Sequence, residues 1–336
     1  MADLSTKYLG IELKNPILVG ASSLTSNMES LKKIENSGAS AVIIKSLFEE
    51  QIQLERFKRE EDLEKNKYRH PEMLTIFPEL DHPGPKEHLY WLEKTKRTLS
   101  IPVIASLNAN QESTWLEYAK LIEETGVDAI ELNFYASPKD FESDAKLIET
   151  QQIDIMKKVK KNISIPISVK LSYFYTNILN FVTKIDKLNI DGIVIFNRLF
   201  QPNIDTKKEE NIFSLNLSQS IDNRLPLRYT GLLSENINAD ICSNTGIIKS
   251  ADIIKMILAG ADAVQIVSAL YKYGIDYIEK LLQKMQTWMD EKNYGKLDDF
   301  RAKMNKKNSE DPWVYKRAQY VKLLMNSEKI LKKDNV

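Results

Sequence analysis

Short apolar runs alternate with longer amphipathic segments along most of this chain. Strands that are apolar throughout and separated by helices pair in parallel, with both faces of the sheet covered. The segments between most of the runs have helical period, as at 113–124, 145–160, 178–188 and 251–258. Eight runs are typical of such strands: 17–19, 41–45, 102–107, 129–134, 167–171, 192–197, 239–242 and 263–267.

This alternation favours an α/β fold of the (β/α)8 TIM barrel type over a doubly wound sheet. No glycine-rich dinucleotide loop follows the first strand, and small polar residues cluster after the seventh and eighth strands instead. An alternating segment around Gly10 predicts an N-terminal hairpin that could plug the barrel floor. Long connections follow strands two and six, at 46–86 and 198–228. Such loops usually form lids or substrate walls.

The chain is predicted to divide into a barrel at residues 1–293 and a C-terminal helical appendage at residues 294–336. The appendage is rich in lysine and has helical character. Its aromatic and aliphatic residues are expected to pack against the barrel: Trp313, Tyr315, Tyr320 and Leu323.

Composition narrows the function classes. With 47 basic and 47 acidic residues the net charge is zero, so no general attraction to nucleic acid or to an anionic membrane is expected. No run approaches the roughly 20 apolar residues of a membrane span. The single cysteine, Cys242, excludes an internal disulfide and is expected to be a buried core residue. The three histidines lack ligand spacing, so no metal site is predicted, and a cytoplasmic location is the simplest expectation.

Two neighbouring turns are predicted to bind a phosphate group. The first contains Thr245 and Gly246 after strand seven, and the second contains Val267 and Ser268 after strand eight. Free backbone N–H groups at adjacent helix N-termini favour a phosphate dianion. In (β/α)8 barrels, the loops after strands seven and eight frequently hold phosphate.

Polar side chains at other strand ends are the candidates for catalysis and binding. Burying a lysine at the end of an apolar strand is costly without an anionic partner, which favours an electron-rich ligand. Asparagine offers both a donor and an acceptor, as the edge of an imide or amide ring requires. These strand-end residues are Lys45, Asn108, Asn133, Lys170 and Asn197.

The same residues carry a resemblance to a known family. The chain resembles the dihydroorotate dehydrogenase family of FMN-dependent barrels over residues 1 to about 290. The resemblance depends on these segments together: Asn15-Pro16 before Gly20-Ala21-Ser22, Ile44-Lys45-Ser46, Glu131-Leu132-Asn133, Ser168-Val169-Lys170-Leu171, Phe196-Asn197, Thr245-Gly246-Ile247 and 259–265.

The resemblance implies a flavin site and a substrate. FMN would be the cofactor, dihydroorotate or a similar small molecule the substrate, and a soluble electron acceptor would reoxidise the flavin. Lys170 would lie near the pyrimidine side of the flavin, where a cation stabilises the reduced ring. Lys45, Asn133 and Asn197 would contact the substrate, and a homodimer is implied. The residues implied to hold the cofactor are Ala21, Ser22, Lys45, Ser46, Asn108, Asn133, Lys170, Thr245, Gly246, Val267 and Ser268.

The substrate side departs from the family pattern. The family has a serine or cysteine base after the asparagine of strand four, but counting from Asn133 places Ala136 there. Counting back from Pro138 places Ser137 there instead. Tyr135 and Lys139 are nearby alternatives that would need a strongly lowered pKa. The family's substrate-loop motif Asn-x-x-Gly-Leu-x-Asn is not apparent at 74–79.

Three functions are therefore compatible with the sequence. The first is oxidation of dihydroorotate to orotate, with Ser137, Lys45 and Asn133 as the catalytic candidates. The second is a flavoprotein that acts on another substrate or has lost catalysis. The third is a phosphate-binding lyase or isomerase that uses Lys45 or Lys170 as a Schiff-base amine.

Overall fold

The computed structural model describes residues 2–54, 84–134, 141–198, 202–212, 217–310, 314–315 and 318–325. The strands are β1 (Thr6–Tyr8), β2 (Ile11–Leu13), β3 (Ile17–Val19), β4 (Ala41–Ile43), β5 (Leu47–Phe48), β6 (Val103–Asn108), β7 (Ala129–Asn133), β8 (Ile167–Leu171), β9 (Gly192–Ile195), β10 (Asn203–Asp205), β11 (Glu210–Ile212), β12 (Asp240–Ser243) and β13 (Ala263–Ile266). The α-helices are α1 (Met28–Asn36), α2 (Pro85–Thr98), α3 (Glu112–Glu124), α4 (Ala145–Asn162), α5 (Ile178–Asp186), α6 (Arg224–Leu233), α7 (Ser250–Ala259), α8 (Ser268–Tyr273), α9 (Tyr277–Glu291) and α10 (Ala318–Met325).

Eight parallel strands close into a barrel, as the sequence predicts. Their order around the barrel is β3, β4, β6, β7, β8, β9, β12 and β13, and β13 pairs with β3 to complete the circle. All eight are buried along nearly their whole length, because helices cover the outside and side chains fill the inside. The eight predicted apolar runs therefore correspond to the eight barrel strands, and the fold class is confirmed.

The N-terminal hairpin closes the barrel floor, as expected. β1 and β2 pair antiparallel, and Tyr8 and Leu9 lie in the apolar cluster inside the barrel. The backbone N–H of Leu9 donates to Oδ2 of Asp240, at the start of β12, at 2.7 Å. A Cβ at Gly192 would lie 2.5 Å from the side chain of Leu9, so a larger residue here would force the packed hairpin side chains to shift. Cys242 is fully buried in the same cluster, and burial raises the pKa of its thiol.

The two long connections contain regular structure. After β4, β5 adds an edge strand beside β6, a helix occupies 49–54, and α2 begins at Pro85. After β9, β10 and β11 form a separate antiparallel hairpin, and a 3₁₀ turn over Ser220–Asn223 leads into α6. Among the helices that the structure describes, none is long and apolar enough to cross a membrane.

The chain beyond α9 packs first against the barrel and then becomes exposed. Phe300 is fully buried and its ring lies 5.0 Å from that of Trp288, which belongs to α9. The hydroxyl of Tyr315 donates to the backbone O of Met304 at 2.6 Å, as its predicted packing role requires. Tyr320 is 63% exposed, so its predicted packing role is wrong. Trp313 and the side chain of Leu323 lie outside the described part of the chain.

Two buried titratable groups give opposite pH dependences of stability. Burial raises the pKa of Asp262 from 3.8 to about 6, against the opposing hydrogen bond from the backbone of Ile241. Burial, and secondarily the charge of Lys45, lowers the pKa of His88 from 6.5 to about 4. Stability from Asp262 is complete below pH 3.8 and is lost as the pH rises to about 6. Stability from His88 is complete above pH 6.5 and is lost as the pH falls to about 4.

The two effects should partly cancel in the wild-type protein and separate in single variants. As the pH rises from 4 to 6.5, the free energy of unfolding of Asp262→Asn should increase by up to about 3 kcal/mol relative to that of the wild type. The free energy of unfolding of His88→Gln should decrease by about as much, relative to that of the wild type, over the same pH interval. Urea unfolding at several pH values measures both differences. Curves that run parallel to the wild-type curve would contradict the assignment.

Candidate active site

A cavity of about 440 Å³ opens at the carboxyl ends of the barrel strands. This volume lies within the range of small-molecule and cofactor sites. Both predicted phosphate turns contribute to its wall, and Lys170 and Gln265 come from strands inside the barrel. Eight of the residues predicted from the sequence line it together: Ala21, Ser22, Lys170, Asn197, Thr245, Gly246, Val267 and Ser268.

The turn after β12 has an unusual backbone. Thr245 and Gly246 adopt φ angles of +75° and +73°, in the left-handed region that is rarely populated by β-branched residues. The Thr245 hydroxyl donates to the backbone O of Phe196 at 2.9 Å, which holds the threonine in this conformation. A Cβ at Gly246 would overlap the backbone of Asn223. One local hydrogen bond therefore accompanies a β-branched residue in a conformation that glycine adopts more readily.

The turn after β13 is covered by a segment that the sequence did not single out. The backbone N–H and the hydroxyl of Ser218 both donate to Oγ of Ser268, each at 2.9 Å. The ammonium of Lys272 donates to the backbone O of Ser218 at 2.8 Å. Ser268 begins α8, so its hydroxyl lies beside a helix N-terminus. Residues 217–223 thus form a cover over both phosphate turns, which we call the cover segment.

Lys170 takes part in a buried polar triad inside the barrel. Its ammonium lies 3.3 Å from Oε1 of Glu131 and 2.9 Å from Oε1 of Gln265. Gln265 also donates to Oε2 of Glu131 at 2.5 Å. All three side chains are nearly inaccessible to solvent. Because Glu131 supplies the anionic partner, Lys170 needs no ligand to balance its charge, and that part of the sequence argument was wrong.

The three predicted strand-end amides form a connected row. Nδ2 of Asn197 donates to Oδ1 of Asn133, and Nδ2 of Asn108 donates to the backbone O of Asn133, both at 2.8 Å. Asn133 is buried, whereas Asn197 lines the cavity. The row fixes the orientation of the Asn197 amide, since its nitrogen is committed to Asn133 and its oxygen remains available.

Lys45 and Ser46 line a different cavity from Lys170. This second cavity, also of about 440 Å³, lies against α2 and contains His88 and Trp91 in its wall. Ser23 lines both cavities, so they adjoin at that residue. Burial lowers the pKa of Lys45. The hydroxyl groups of Ser46 and Ser106 are 2.7 Å apart.

The sequence analysis missed some residues of the site, and its candidates for the catalytic base lie outside the described part of the chain. Ser137 lies outside the described residues, as do Tyr135, Ala136 and Lys139. Glu131 and Gln265 were recognised only as parts of family motifs, although each is a polar residue within an otherwise apolar strand. That pattern is the same signal that identified Lys170. Arg198 is the residue directly after the predicted strand run 192–197, where a charged side chain could have been noticed, whereas Ser218 lies in an irregular segment that carries no comparable signal.

The site can accept a flavin nucleotide on chemical grounds. One end of the cavity has the backbone of the two phosphate turns and the hydroxyl of Ser268, which suit a phosphate. The other end has the ammonium of Lys170 and the amide of Asn197, which suit the carbonyl edge of a ring. Ile247 and Val267 add apolar surface between them. These groups match a phosphorylated, ring-containing cofactor.

The fold and this cavity define a (β/α)8 enzyme with its active site at the carboxyl ends of the strands. A model of the dihydroorotate dehydrogenase family matches residues 77–289. The chain is 29% identical over 313 residues to the dihydroorotate dehydrogenase B (NAD(+)) catalytic subunit of Thermoplasma acidophilum, covering 89% of this chain and 98% of the relative. It is 28% identical over 304 residues to the same subunit of Methanocaldococcus jannaschii, covering 86% and 94%.

A more distant relative is the putative dihydroorotate dehydrogenase A (fumarate) of Aeropyrum pernix. It is 25% identical over 228 residues, which cover 66% of this chain and 73% of the relative. The chain belongs to the dihydroorotate dehydrogenase family, a family of flavin oxidoreductases. The resemblance seen in its sequence motifs is confirmed.

Proposed function

We propose that this protein is an FMN-dependent enzyme that oxidises dihydroorotate to orotate in pyrimidine biosynthesis. The observation that carries the proposal is that the two phosphate turns, Lys170 and Asn197 line one and the same cavity. Family membership supports the reaction class, which is the oxidation of a CH–CH bond.

The residues that would hold FMN divide into three groups. Thr245, Gly246, Val267 and Ser268 would surround its phosphate, and the backbone at Ala21 and Ser22 would contact the ring. Lys170, held in place by Glu131 and Gln265, would stabilise negative charge on the pyrimidine side of the ring. When bound, FMN supplies the acceptor for a hydride from the substrate carbon.

The substrate would be held by amides and by Lys45. The oxygen of the Asn197 amide is available to accept from a ring N–H because its nitrogen donates to Asn133. Asn133 accepts hydrogen bonds from both Asn197 and Asn108 and would hold the Asn197 amide in place. By resemblance, Asn108 and Asn133 would also contact the flavin. Lys45 and Ser46 would approach from the second cavity.

Ser137 is proposed as the base that removes the proton from the carbon next to the one that gives up the hydride. This assignment follows the alignment anchored at Pro138, because Ala136 has no group that accepts a proton. A positioned base typically contributes about 10²- to 10⁴-fold to the rate. If Ser137→Ala reduced its flavin at the wild-type rate, another residue would have to be the base.

The partners of the protein are proposed by analogy with its relatives. Relatives are named both for NAD(+) and for fumarate, so a soluble acceptor is proposed to reoxidise the flavin. We also propose that the protein is a homodimer and is cytoplasmic. Its chain is proposed to divide into a barrel at 1–293 and an appendage at 294–336.

Two measurements on the purified protein test the proposed function. The protein should be yellow, and the released flavin should comigrate with FMN. Anaerobic mixing with dihydroorotate should then bleach the flavin absorbance in the blue part of the visible spectrum. Colourless protein that takes up no FMN would exclude a flavin enzyme. Yellow protein that stays yellow with millimolar dihydroorotate, yet bleaches with dithionite, would identify a flavoprotein with another substrate or none.

The Schiff-base alternative gains no support from the site. The ammonium of Lys170 is bonded to the carboxylate of Glu131 and the amide of Gln265, so its nitrogen is committed to the buried triad. Borohydride trapping of a substrate on Lys45 would be the result that revives it.

A further inference from the structure

Arg198 brings a guanidinium to the cavity from the end of β9. It follows Asn197 directly, and it lines the cavity together with Thr245, Gly246 and Ser268. Its Nη1 lies 3.0 Å from Oδ2 of Asp222, which belongs to the cover segment. The side chain is 37% exposed, so it is neither part of the core nor extended into solvent.

The position of Asp222 is fixed by contacts of the cover segment. Ser218 is bonded to Ser268, and the hydroxyl of Ser220 donates to Oδ2 of Asp252 at 2.7 Å. The backbone of Asp222 and Asn223 lies so close to Gly246 that a Cβ there would overlap it. The guanidinium that pairs with Asp222 is therefore held beside the two phosphate turns.

Charge balance at this end of the cavity requires a cation. A phosphate monoester carries about −1.5 to −2 charges at pH 7. Among the described residues that line the cavity, the cationic side chains are Lys170 and Arg198. Lys170 is already bonded to Glu131 and Gln265 inside the barrel. Arginine is well suited to the task, because its planar guanidinium has five donors and binds phosphate oxygens in a bidentate manner.

Asp222 leaves part of this donor capacity available. Its Oδ2 accepts from Arg198 and also from the backbone N–H of Gln219, at 2.9 Å. One guanidinium nitrogen is thus engaged by Asp222, and the ion pair leaves the other donors of this cavity-lining arginine uncommitted to that carboxylate.

We propose that Arg198 binds the phosphate of the flavin nucleotide and makes the site select FMN over riboflavin. The proposal rests on the proposed function, since it requires that the cavity bind a flavin.

Titration of the apoprotein with FMN and with riboflavin tests this role by the quenching of flavin fluorescence. Arg198→Gln should bind FMN about 10- to 100-fold more weakly, the equivalent of one charge-assisted hydrogen-bonded contact, and should bind riboflavin as the wild type does. Arg198→Lys should recover part of the loss. Arg224→Gln is the matched control, because Arg224 is an exposed arginine just after the cover segment that does not line the cavity. Its FMN affinity should equal that of the wild type.

Asp222→Asn tests the effect of the Arg198 cation separately from the effect of its ion pair with Asp222. This variant keeps the guanidinium and removes a competing carboxylate, so the preference for FMN should be retained or increased. A loss of FMN affinity as large as that of Arg198→Gln would show that the ion pair matters rather than the cation, and would overturn the proposal.

Three further outcomes would also overturn it. Equal weakening of FMN and riboflavin by Arg198→Gln would indicate a general structural role. Unchanged FMN affinity with weakened orotate binding would assign the guanidinium to a substrate oxyanion. A wild-type protein that binds neither flavin would overturn this proposal together with the proposed function, whereas the first two outcomes leave the proposed function intact.

Discussion

Replacing Glu131 with glutamine is expected to destabilise the apoprotein by about 3–5 kcal/mol. The carboxylate is 1% exposed and balances the charge of Lys170 inside the barrel. Removing one member of a buried ion pair leaves the other charge uncompensated in a poorly polarisable environment, which typically costs this much. Equilibrium unfolding in urea, carried out without flavin so that ligand binding adds no stability, measures the effect.

Two controls define what the loss means. Glu131→Gln combined with Lys170→Met should recover most of the stability, because no unpaired charge remains. Glu112→Gln removes one member of the exposed Lys158–Glu112 pair, whose side chains are about half exposed, and should cost less than about 1 kcal/mol. Equal effects at Glu131 and Glu112 would contradict the buried-pair interpretation.

Replacing Lys170 with methionine should slow flavin reduction by dihydroorotate about 10²- to 10³-fold. This is the effect of removing one preorganised group that stabilises developing negative charge in a site shielded from water. The ammonium is well prepared for that role, because Glu131 and Gln265 fix its position. Anaerobic stopped-flow absorbance measures the rate on protein that still binds flavin.

The midpoint potential of the bound flavin distinguishes this role from a structural one. Loss of a cation near the ring should make the potential more negative, because the reduced, anionic form loses stabilisation. Lys158→Met, which removes an exposed lysine on α4, should change neither the rate nor the potential. A Lys170→Met protein with the wild-type rate and potential would show that this ammonium does not act on the flavin.

The strands and caps were predictable because local sequence determines them. Each barrel strand is an uninterrupted apolar run, and the hairpin at Gly10 alternates in the way that a strand with one buried face must. Asn27 caps α1, because its side chain accepts from the backbone N–H of Ser30 at 2.8 Å, and asparagine directly before an amphipathic segment is a common helix cap. Such features depend on a few neighbouring residues, so they can be read without knowledge of the fold.

The site was predictable only where the barrel topology itself brings residues together. Carboxyl ends of parallel strands meet at one end of a barrel, so Lys170, Asn197 and Ser268 could be grouped from their positions alone. The partner of Lys170 could not be identified in this way. Glu131 and Gln265 come from different strands, and their meeting depends on strand register and on the tilt of the closed sheet.

The contents of the long connections were less accessible to prediction. Lys45 lies at a strand end like Lys170, yet residues of α2, together with Gln51, give Lys45 a cavity of its own. The pairing of Arg198 with Asp222 likewise depends on how the cover segment folds back onto the turns after β12 and β13. Neither contact leaves a periodic signal, because both join irregular segments.

The sequence by itself determined the barrel, its floor hairpin, the family and the end of the barrel at which chemistry takes place. The reason is that apolar periodicity and glycine-rich turns act over short distances and recur with each βα unit. Only the tertiary structure decided which charges neutralise one another. Long-range closure of the sheet places the anion for Lys170 inside the protein, and folding of the cover segment leaves Arg198 beside the phosphate turns.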